Sequence, residues 1–371
     1  MRSLSLIFAL FASSVLVGAA PAPVEDAALD ADSSTADSMS TSCRNPEQRK
    51  ERRKFTKAEK AAYIKAVNCL SKRPHTSALK PQYPRSNLPS MTTASSYLDD
   101  LIYTHMDLTD QIHYTGFFFP FHRWYVNEHL TQLKTQCGYT GVQPYWDWTQ
   151  DAASFNTSPM FDKDPSSGLG GFGDPNKNYT VTTGGFANMI VSYPVKHVIR
   201  RQYTQYPYLD WYWLQRPTEA ANTTITKAFV DEAVNGYVGN FIGFQNATEK
   251  AQSFHPNIHM IMGGDMAGTC PPSAGSLCVG GSTWTSNDPL FFLHHAQMDR
   301  IWWLWQRKNR LNAQAFAGGS ISTYSDPAFP NGYAPMLSKS SVIPTDGMSK
   351  GLKTVQDMLS TTSNGLCYVY V

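Results

Sequence analysis

Residues 113–130 read HYTGFFFPFHRWYVNEHL, three imidazoles set in a stretch that is otherwise largely aromatic. A buried segment needs apolar shape, and phenylalanine or leucine supplies it without a buried polar ring. Proline suits the first turn of a helix, so Pro120 opens one here, and the chain continues without another proline or glycine to Gly138. Two later stretches have the same character: HPNIHMIMGG at 255–264 and NDPLFFLHHAQMDRIWW at 287–303. The fold and the function both turn on whether these histidines converge.

Spacing shows what convergence requires. His255 and His259 are four residues apart, which places both on one face of a helix, the spacing at which two imidazoles reach one metal. His294 and His295 are adjacent, so one helix face presents only one of them inward. His105, His113 and His122 cannot share one helix face, but two helices broken near Pro120 can bring them together. His75, His129 and His197 read as ordinary core or surface histidines. Apolar walls favour neutral imidazole, the form that binds metal, and nitrogen donors suit copper best among the common divalent ions.

Around these stretches the chain is mostly helical in pattern. FTKAEKAAYIKAVNCLSKRP, from Phe55, has helical periodicity and runs to a proline, and SSYLDDLIYTHMDL, from Ser95, has Ser95 or Ser96 to cap it. TKAFVDEAVNGYVGNF, FHPNIHMIM and LHHAQMDRIWWLWQRKN are helical as well, whereas Thr149 to Tyr208 is rich in Gly, Asn, Pro and Thr and reads as irregular. Few segments alternate as strands do, and those are mostly near the C-terminal end. The expected fold is mainly α, a helical bundle with long loops and little β structure.

The 371 residues, 42% hydrophobic and 13% aromatic, support a substantial core. A formal charge of +2 points to neither nucleic acid nor a membrane surface as partner. The basic run RKERRKFTKAEK at 49–60 reads as the solvated face of a helix. Residues 1–20 read as a secretory signal peptide, with one early arginine, an apolar run and small residues at the end. Residues 21–42, acidic and rich in Ser and Ala, read as a disordered leader or propeptide, leaving 43–371 as the catalytic domain. Secretion makes disulfides the default for the six cysteines. Cys270 and Cys278 enclose a turn-rich loop and are expected to pair. Cys43 with Cys69, and Cys137 with Cys367, complete the expected set, one of 15 connectivities that six cysteines allow. Sequons at Asn156, Asn178, Asn222 and Asn246 fit the same compartment.

The three histidine stretches, together with PYWDW at 144–148 and NDPLFFLHHAQMDR at 287–300, resemble the copper-binding segments of type-3 copper proteins: tyrosinases, catechol oxidases and hemocyanins. The resemblance runs from about Cys43 to Val371 and is strongest to short, secreted fungal members. It implies two copper ions in a dinuclear centre, one on His105, His113 and His122, the other on His255, His259 and His295. His295 rather than His294 follows from its place seven residues after Asp288, where relatives with a single histidine have it. Many fungal relatives join the second histidine by a thioether to a cysteine two residues before it. Gln111 holds that position here, so none is expected. Larger relatives plug the site with a C-terminal domain; this chain reads CYVY at 367–370, like the motif that closes the catalytic core, and no cleavage of a lid is expected.

The activity the resemblance implies is oxidation of ortho-diphenols or ortho-aminophenols by dioxygen to quinone-type products, as in pigment or secondary-metabolite synthesis. The alternatives are a tyrosinase that also hydroxylates monophenols, and a hemocyanin-like oxygen carrier. In many tyrosinases a glutamate upstream of the fourth histidine and an asparagine after it hold a basic water. Here Glu249 matches the glutamate, but Pro256 follows His255, and Asn257 comes one position too late. Ser282, thirteen residues before His295, stands where bulkier residues in some relatives cover one copper, which implies open access. Asp299, four residues after His295, is a candidate to orient an imidazole or, equally, a surface acid beside Arg300. Oligomeric state is not legible.

Overall fold

The computed structural model describes residues 43–76, 78–81, 88–278, 280–322 and 331–371. The expected signal peptide (1–20) and leader (21–42) lie outside the described residues. Four helices build the centre: α2 (Tyr97–Asp107), α4 (Phe118–Cys137), α7 (Phe254–Met262) and α8 (Leu290–Lys308). Around them lie α1 (Lys57–Leu70), the short α3 (Thr109–Ile112), α5 (Lys227–Asn235), α6 (Phe241–Glu249) and the short α9 (Arg310–Ala313). Strands are few and short: β1 (Glu47–Arg49), β2 (Ile190–Val191), β3 (His197–Val198), β4 (Gly319–Ile321), β5 (Tyr333–Met336) and β6 (Tyr368–Tyr370). They pair as three two-stranded ladders, β1 with β6 in parallel and the other two antiparallel. The molecule is mainly helical, with an irregular stretch over 149–208 that carries only short 3₁₀ turns and β2–β3.

Local chemistry sets the helix ends. α2 starts in a capping box: Ser96 Oγ accepts from the Asp99 N–H at 3.2 Å and Asp99 Oδ2 accepts from the Ser96 N–H at 2.6 Å. α4 places Pro120 in its first turn, where no N–H is needed, and stops at Gly138, whose φ of 64° closes the helix. α8 follows Asp288, which accepts from the Leu290 N–H at 3.0 Å. The helix expected across TKAFVDEAVNGYVGNF is broken into α5 and α6. Tyr237 and Gly239 both take left-handed conformations there, and Asn240 caps α6 through the Gly243 N–H at 2.9 Å.

α4 and α8 run antiparallel down the core. Phe119 meets Trp302, Tyr125 meets Phe291, and His129 stacks on Phe292 at 3.7 Å. The irregular stretch is held to α8 by buried ions: Arg201 grips Asp288 at 2.6 and 3.0 Å and donates to the carbonyls of Leu169 and Gly170. The PYWDW motif is a second clamp. The Trp146 N–H donates to the Leu293 carbonyl, and Gln297 donates to Asp147.

Three disulfides form, but two expected pairings are corrected. Cys270–Cys278 stands, whereas the other bridges are Cys43–Cys367 and Cys69–Cys137, not Cys43–Cys69 and Cys137–Cys367. Parallel pairing of β1 with β6 aligns Glu47 with Tyr368 and brings Cys43 beside Cys367. α1 lies along α4 in the same direction, Tyr63 against His129, so Cys69 near the end of one meets Cys137 at the end of the other. The reading of 49–60 as a solvated helix face is also corrected. Arg49 and Arg52 are buried, Arg49 in β1 beside Asp299 and Arg52 donating to the Ser167 carbonyl at 2.6 Å. Of the sequon asparagines, Asn156 and Asn178 are exposed and Asn246 is half-buried. The side-chain nitrogen of Asn222 already donates to the Ala152 carbonyl at 2.9 Å.

Candidate metal centre

Each histidine singled out by spacing reaches the middle of the bundle. α2 carries His105 at 0% exposure, and His113 follows α3 directly. His122 is on the second turn of α4, His255 and His259 on α7, His294 and His295 on α8. They form two groups, His105 with His113 and His122, and His255 with His259, His294 and His295; within each group ligand nitrogens lie within 4.8 Å of one another. The groups abut, His122 stacking on His295 with ring centroids 4.2 Å apart. Phe118 packs on His122 and His255, and Phe291 packs on His105 and His295, so aromatic rings wall the pair.

Backbone carbonyls fix three of the rings. Nδ1 of His113 faces the Thr109 carbonyl at 3.0 Å, that of His122 the Phe118 carbonyl at 2.7 Å, and that of His259 the Met266 carbonyl at 2.9 Å. A carbonyl only accepts, so each Nδ1 carries the proton and each Nε2 keeps its lone pair. Burial, reinforced by the neighbouring imidazoles, holds His105, His122, His255, His294 and His295 well below the usual histidine range, and burial takes His259 to about 3. The rings are neutral. Both ring nitrogens of His105, His255 and His295, and Nε2 of His122 and of His294, are buried without a hydrogen-bond partner. Each such nitrogen costs about 1–3 kcal/mol unless something binds it. So many in one place fit a metal, and an all-nitrogen donor set with every cysteine in a disulfide fits copper.

A model of the common central domain of tyrosinase matches residues 95–308, more than half of the chain.

The chain belongs to the tyrosinase family.

Its similarity extends past that domain. A tyrosinase-like protein, phomQ1', of Diaporthe leptostromiformis is 28% identical over 355 residues, covering 88% of this chain and 80% of the relative. The oxidase hkm6 of Aspergillus hancockii is 29% identical over 305 residues, 74% of this chain and 99% of that one. Among solved structures, a variant polyphenol oxidase from Thermothelomyces thermophila matches with a TM-score of 0.63 at 26% identity, covering 88% and 89% of the two chains. This tyrosinase-family chain is therefore a copper oxidoreductase of a family whose enzymes act on phenols with dioxygen, and its cofactor is the family's dinuclear copper centre. Its three disulfides are consistent with an extracellular protein, and no helix among the described residues is long and apolar enough to cross a membrane.

Over the histidines lies a cavity of about 460 Å³ bordered by His113, His255, His259, Glu249, Pro256 and Ser282. Glu249 is buried, and each oxygen accepts one hydrogen bond: Oε1 from the Tyr114 N–H at 2.6 Å and Oε2 from Gln245 Nε2 at 2.8 Å. Burial pushes its carboxyl up to about 8. Its bond to Tyr114 holds that residue at a φ of 53°, directly after His113. Asn257 does not border the cavity; it is bound by Tyr208, Thr224 and Gln252. His129 is a core ring and His197 bonds Asp265, both apart from the two groups.

Asp299 is neither an imidazole partner nor a surface acid. It is a buried hub that accepts from Arg123, Arg49, Tyr368 and Tyr370. Sequence reasoning missed Trp148, whose indole N–H donates to His294 Nδ1 at 3.2 Å. It also missed the loop carrying Trp211 and Trp213 at the cavity rim. The signal was there, since PYWDW had been singled out and DWYW at 210–213 puts three aromatic side chains in an irregular region.

Ser282 borders the cavity half-exposed, following Gly281. A phenylalanine at this position is expected to crowd the border of the cavity without entering the core. The expected result for Ser282→Phe is a roughly tenfold loss of kcat/KM on bulky catechols with little change on catechol itself. Measured ratios that do not move would show that Ser282 is not at the entrance used.

Proposed function

We propose that His105, His113 and His122 hold one copper, and His255, His259 and His295 the other, in an enzyme that oxidises ortho-diphenols or ortho-aminophenols and hydroxylates monophenols poorly. When bound, the copper pair supplies the electron transfer by which two catechols reduce one dioxygen to two waters, each leaving as an ortho-quinone. The protein's part is to hold neutral imidazoles, wall them with Phe118 and Phe291, and admit a flat ring past Ser282.

His295 is favoured over His294 because the latter's Nδ1 is an acceptor for Trp148, which leaves the proton on its Nε2. Both nitrogens of His295 are without partners.

The observation that carries the preference for diphenols is the state of Glu249 and Pro256. Hydroxylating a phenol first needs a base for its proton, since a free phenol has a pKa near ~10. Each oxygen of Glu249 already accepts one hydrogen bond, from Tyr114 and from Gln245, which leaves it fewer sites for a water. Pro256 borders the cavity where relatives place an asparagine, and its side chain cannot hydrogen-bond a water. A relative from Emericella nidulans, named as an N-acetyl-6-hydroxytryptophan oxidase and 27% identical over 313 residues, is in keeping with oxidation of an already hydroxylated ring.

Oxygen uptake on phenol and catechol tests the reading. Catechol is expected to be consumed at least roughly tenfold faster, and Pro256→Asn is expected to raise the monophenol share severalfold. Comparable wild-type rates on the two substrates would establish a tyrosinase instead. Oxygen binding without quinone formation from catechol would establish a carrier. The half-buried to exposed sequons and the disulfides support the further reading that the protein is secreted and glycosylated, with Asn156 and Asn178 the accessible acceptors.

A further inference from the structure

The cavity continues outward along one loop. Between Gln205 and Pro217 the chain reads QYPYLDWYWLQRP, and three of its rings, Tyr208, Trp211 and Trp213, border the same cavity as His255 and His259. The loop is built, not loose. Tyr208 is buried and donates its hydroxyl to Asn257 Oδ1 at 2.5 Å, two residues beyond His255. Two successive turns follow, the Trp211 N–H bonding the Tyr208 carbonyl and the Leu214 N–H bonding the Trp211 carbonyl, each at 2.9 Å. The rings form a ladder from the copper helix to solvent. Tyr208 meets Trp211 edge-on at 5.2 Å, and Trp211 stacks on Trp213 at 5.4 Å with planes 27° apart.

Trp211 is 36% exposed and Trp213 72% exposed, so beyond its stack on Trp211 the outer indole presents its apolar surface to solvent. The cavity is also bordered by Gly280 and Gly281, and nothing lies within 4 Å of where a Cβ on Gly281 would stand. No lysine, arginine or aspartate is among its described lining residues, and Glu249 accepts one hydrogen bond on each oxygen. Its volume, about 460 Å³, is in the range (roughly 300–1,000 Å³) of sites that enclose drug-sized molecules and exceeds the need of one phenol ring.

We propose that Tyr208, Trp211 and Trp213 form an outer aromatic subsite, and that the substrate is an uncharged phenol bearing a second aromatic ring. The hydroxylated ring enters over the histidines while the second ring stacks on the exposed indoles. This rests on the reading of the site as a phenol oxidase. Planar π surfaces bind offset faces of indole well, and no lysine or arginine borders the cavity to pair with the carboxylate of an acid or amino acid.

The test uses the copper-loaded full chain with catechol, 4-phenylcatechol and a catechol bearing a trimethylammonioethyl group. Wild type is expected to favour 4-phenylcatechol over catechol in kcat/KM by about tenfold, carried by KM. Trp213→Ala is expected to remove most of that preference and Trp213→Phe to keep most of it. Tyr212→Ala, on the same loop but away from the cavity, is expected to keep the preference in full. Calorimetric binding of 4-phenylphenol to copper-free protein, about tenfold weaker in Trp213→Ala, reads the subsite without turnover. Equal KM for the two neutral catechols, preference for the cationic one, or a change of oligomeric mass in Trp213→Ala would overturn the proposal. If no catechol is oxidised by copper-loaded wild type, the phenol-oxidase reading fails, and the calorimetry still decides whether the subsite exists.

Discussion

His295→Ala is expected to retain one copper ion per chain in place of two and to lose catechol oxidation by at least ~10³-fold, about 4 kcal/mol of transition-state stabilisation. His295 lies between the two groups, stacked on His122 and 5.2 Å from His255, with both nitrogens unengaged. His294→Ala is the informative partner. Its ring packs on His255 at 5.5 Å and accepts from Trp148, so its loss should loosen the site without removing a ligand. Both coppers are expected to remain, with affinity reduced by ~10–100-fold. Metal analysis of the two variants, with far-UV circular dichroism to show that both are folded, decides the ligand. One copper lost from His294→Ala and none from His295→Ala would reverse the assignment.

The second large effect is structural. Asp299→Ala removes the one carboxylate that Arg49 and Arg123 share at full burial. Breaking a buried charge cluster from one side costs about 3–5 kcal/mol, because the other charges stay behind unpaired. In a chain of this size the melting temperature should fall by roughly 5–10 °C. Tyr368→Phe, which removes one 2.6 Å hydrogen bond to the same oxygen, should cost only about 1–2 kcal/mol. The same cluster sets an acid limit. Burial alone would raise the Asp299 carboxyl, but Arg123, Arg49 and the two tyrosine hydroxyls outweigh it and hold it below the usual range. A carboxyl depressed in the folded state contributes stability that is present above its unfolded pKa, near ~3.9, and is lost as pH falls further. Wild-type stability should therefore drop below about pH 4, and the drop should be smaller in Asp299→Ala. Denaturant titrations at pH 3 and pH 6 would show it.

How much of this was legible in the sequence depends on the range of the interaction. The H-x₃-H of His255 and His259 and the helix start near Pro120 are local; both histidines lie on α7, and α4 begins at Phe118, two residues before the proline. The capping box at Ser96 is local too. The cysteine pairings were not, because Cys43 and Cys367 are joined through a β ladder between distant segments, and no local pattern in either segment names its partner. The basic run at 49–60 misled for a related reason. A buried arginine looks in sequence like a solvated one until the acid that neutralises it, Asp299, is known to face it. The preference for His295 over His294 came from its distance to Asp288, whereas the contact of His294 with Trp148, 146 residues earlier in the chain, was not visible from spacing. Glu249 was found by its position, but the two donors that occupy it were not visible from spacing.

The pairing of β1 with β6 has a consequence for the order in which the molecule is made. Arg49 emerges early in synthesis, yet its guanidinium has no burial site until Asp299 and the rings of Tyr368 and Tyr370 exist. Cys69 and Cys137 can meet once α4 is complete, whereas Cys43 must wait for Cys367. Helix α8, which carries Asp299, thus cannot reach its final packing before Tyr368 and Tyr370 are free to pair with β1. Until then the segment around Arg49 must stay cationic and unpaired, so the cluster around Asp299 closes as a late step of folding.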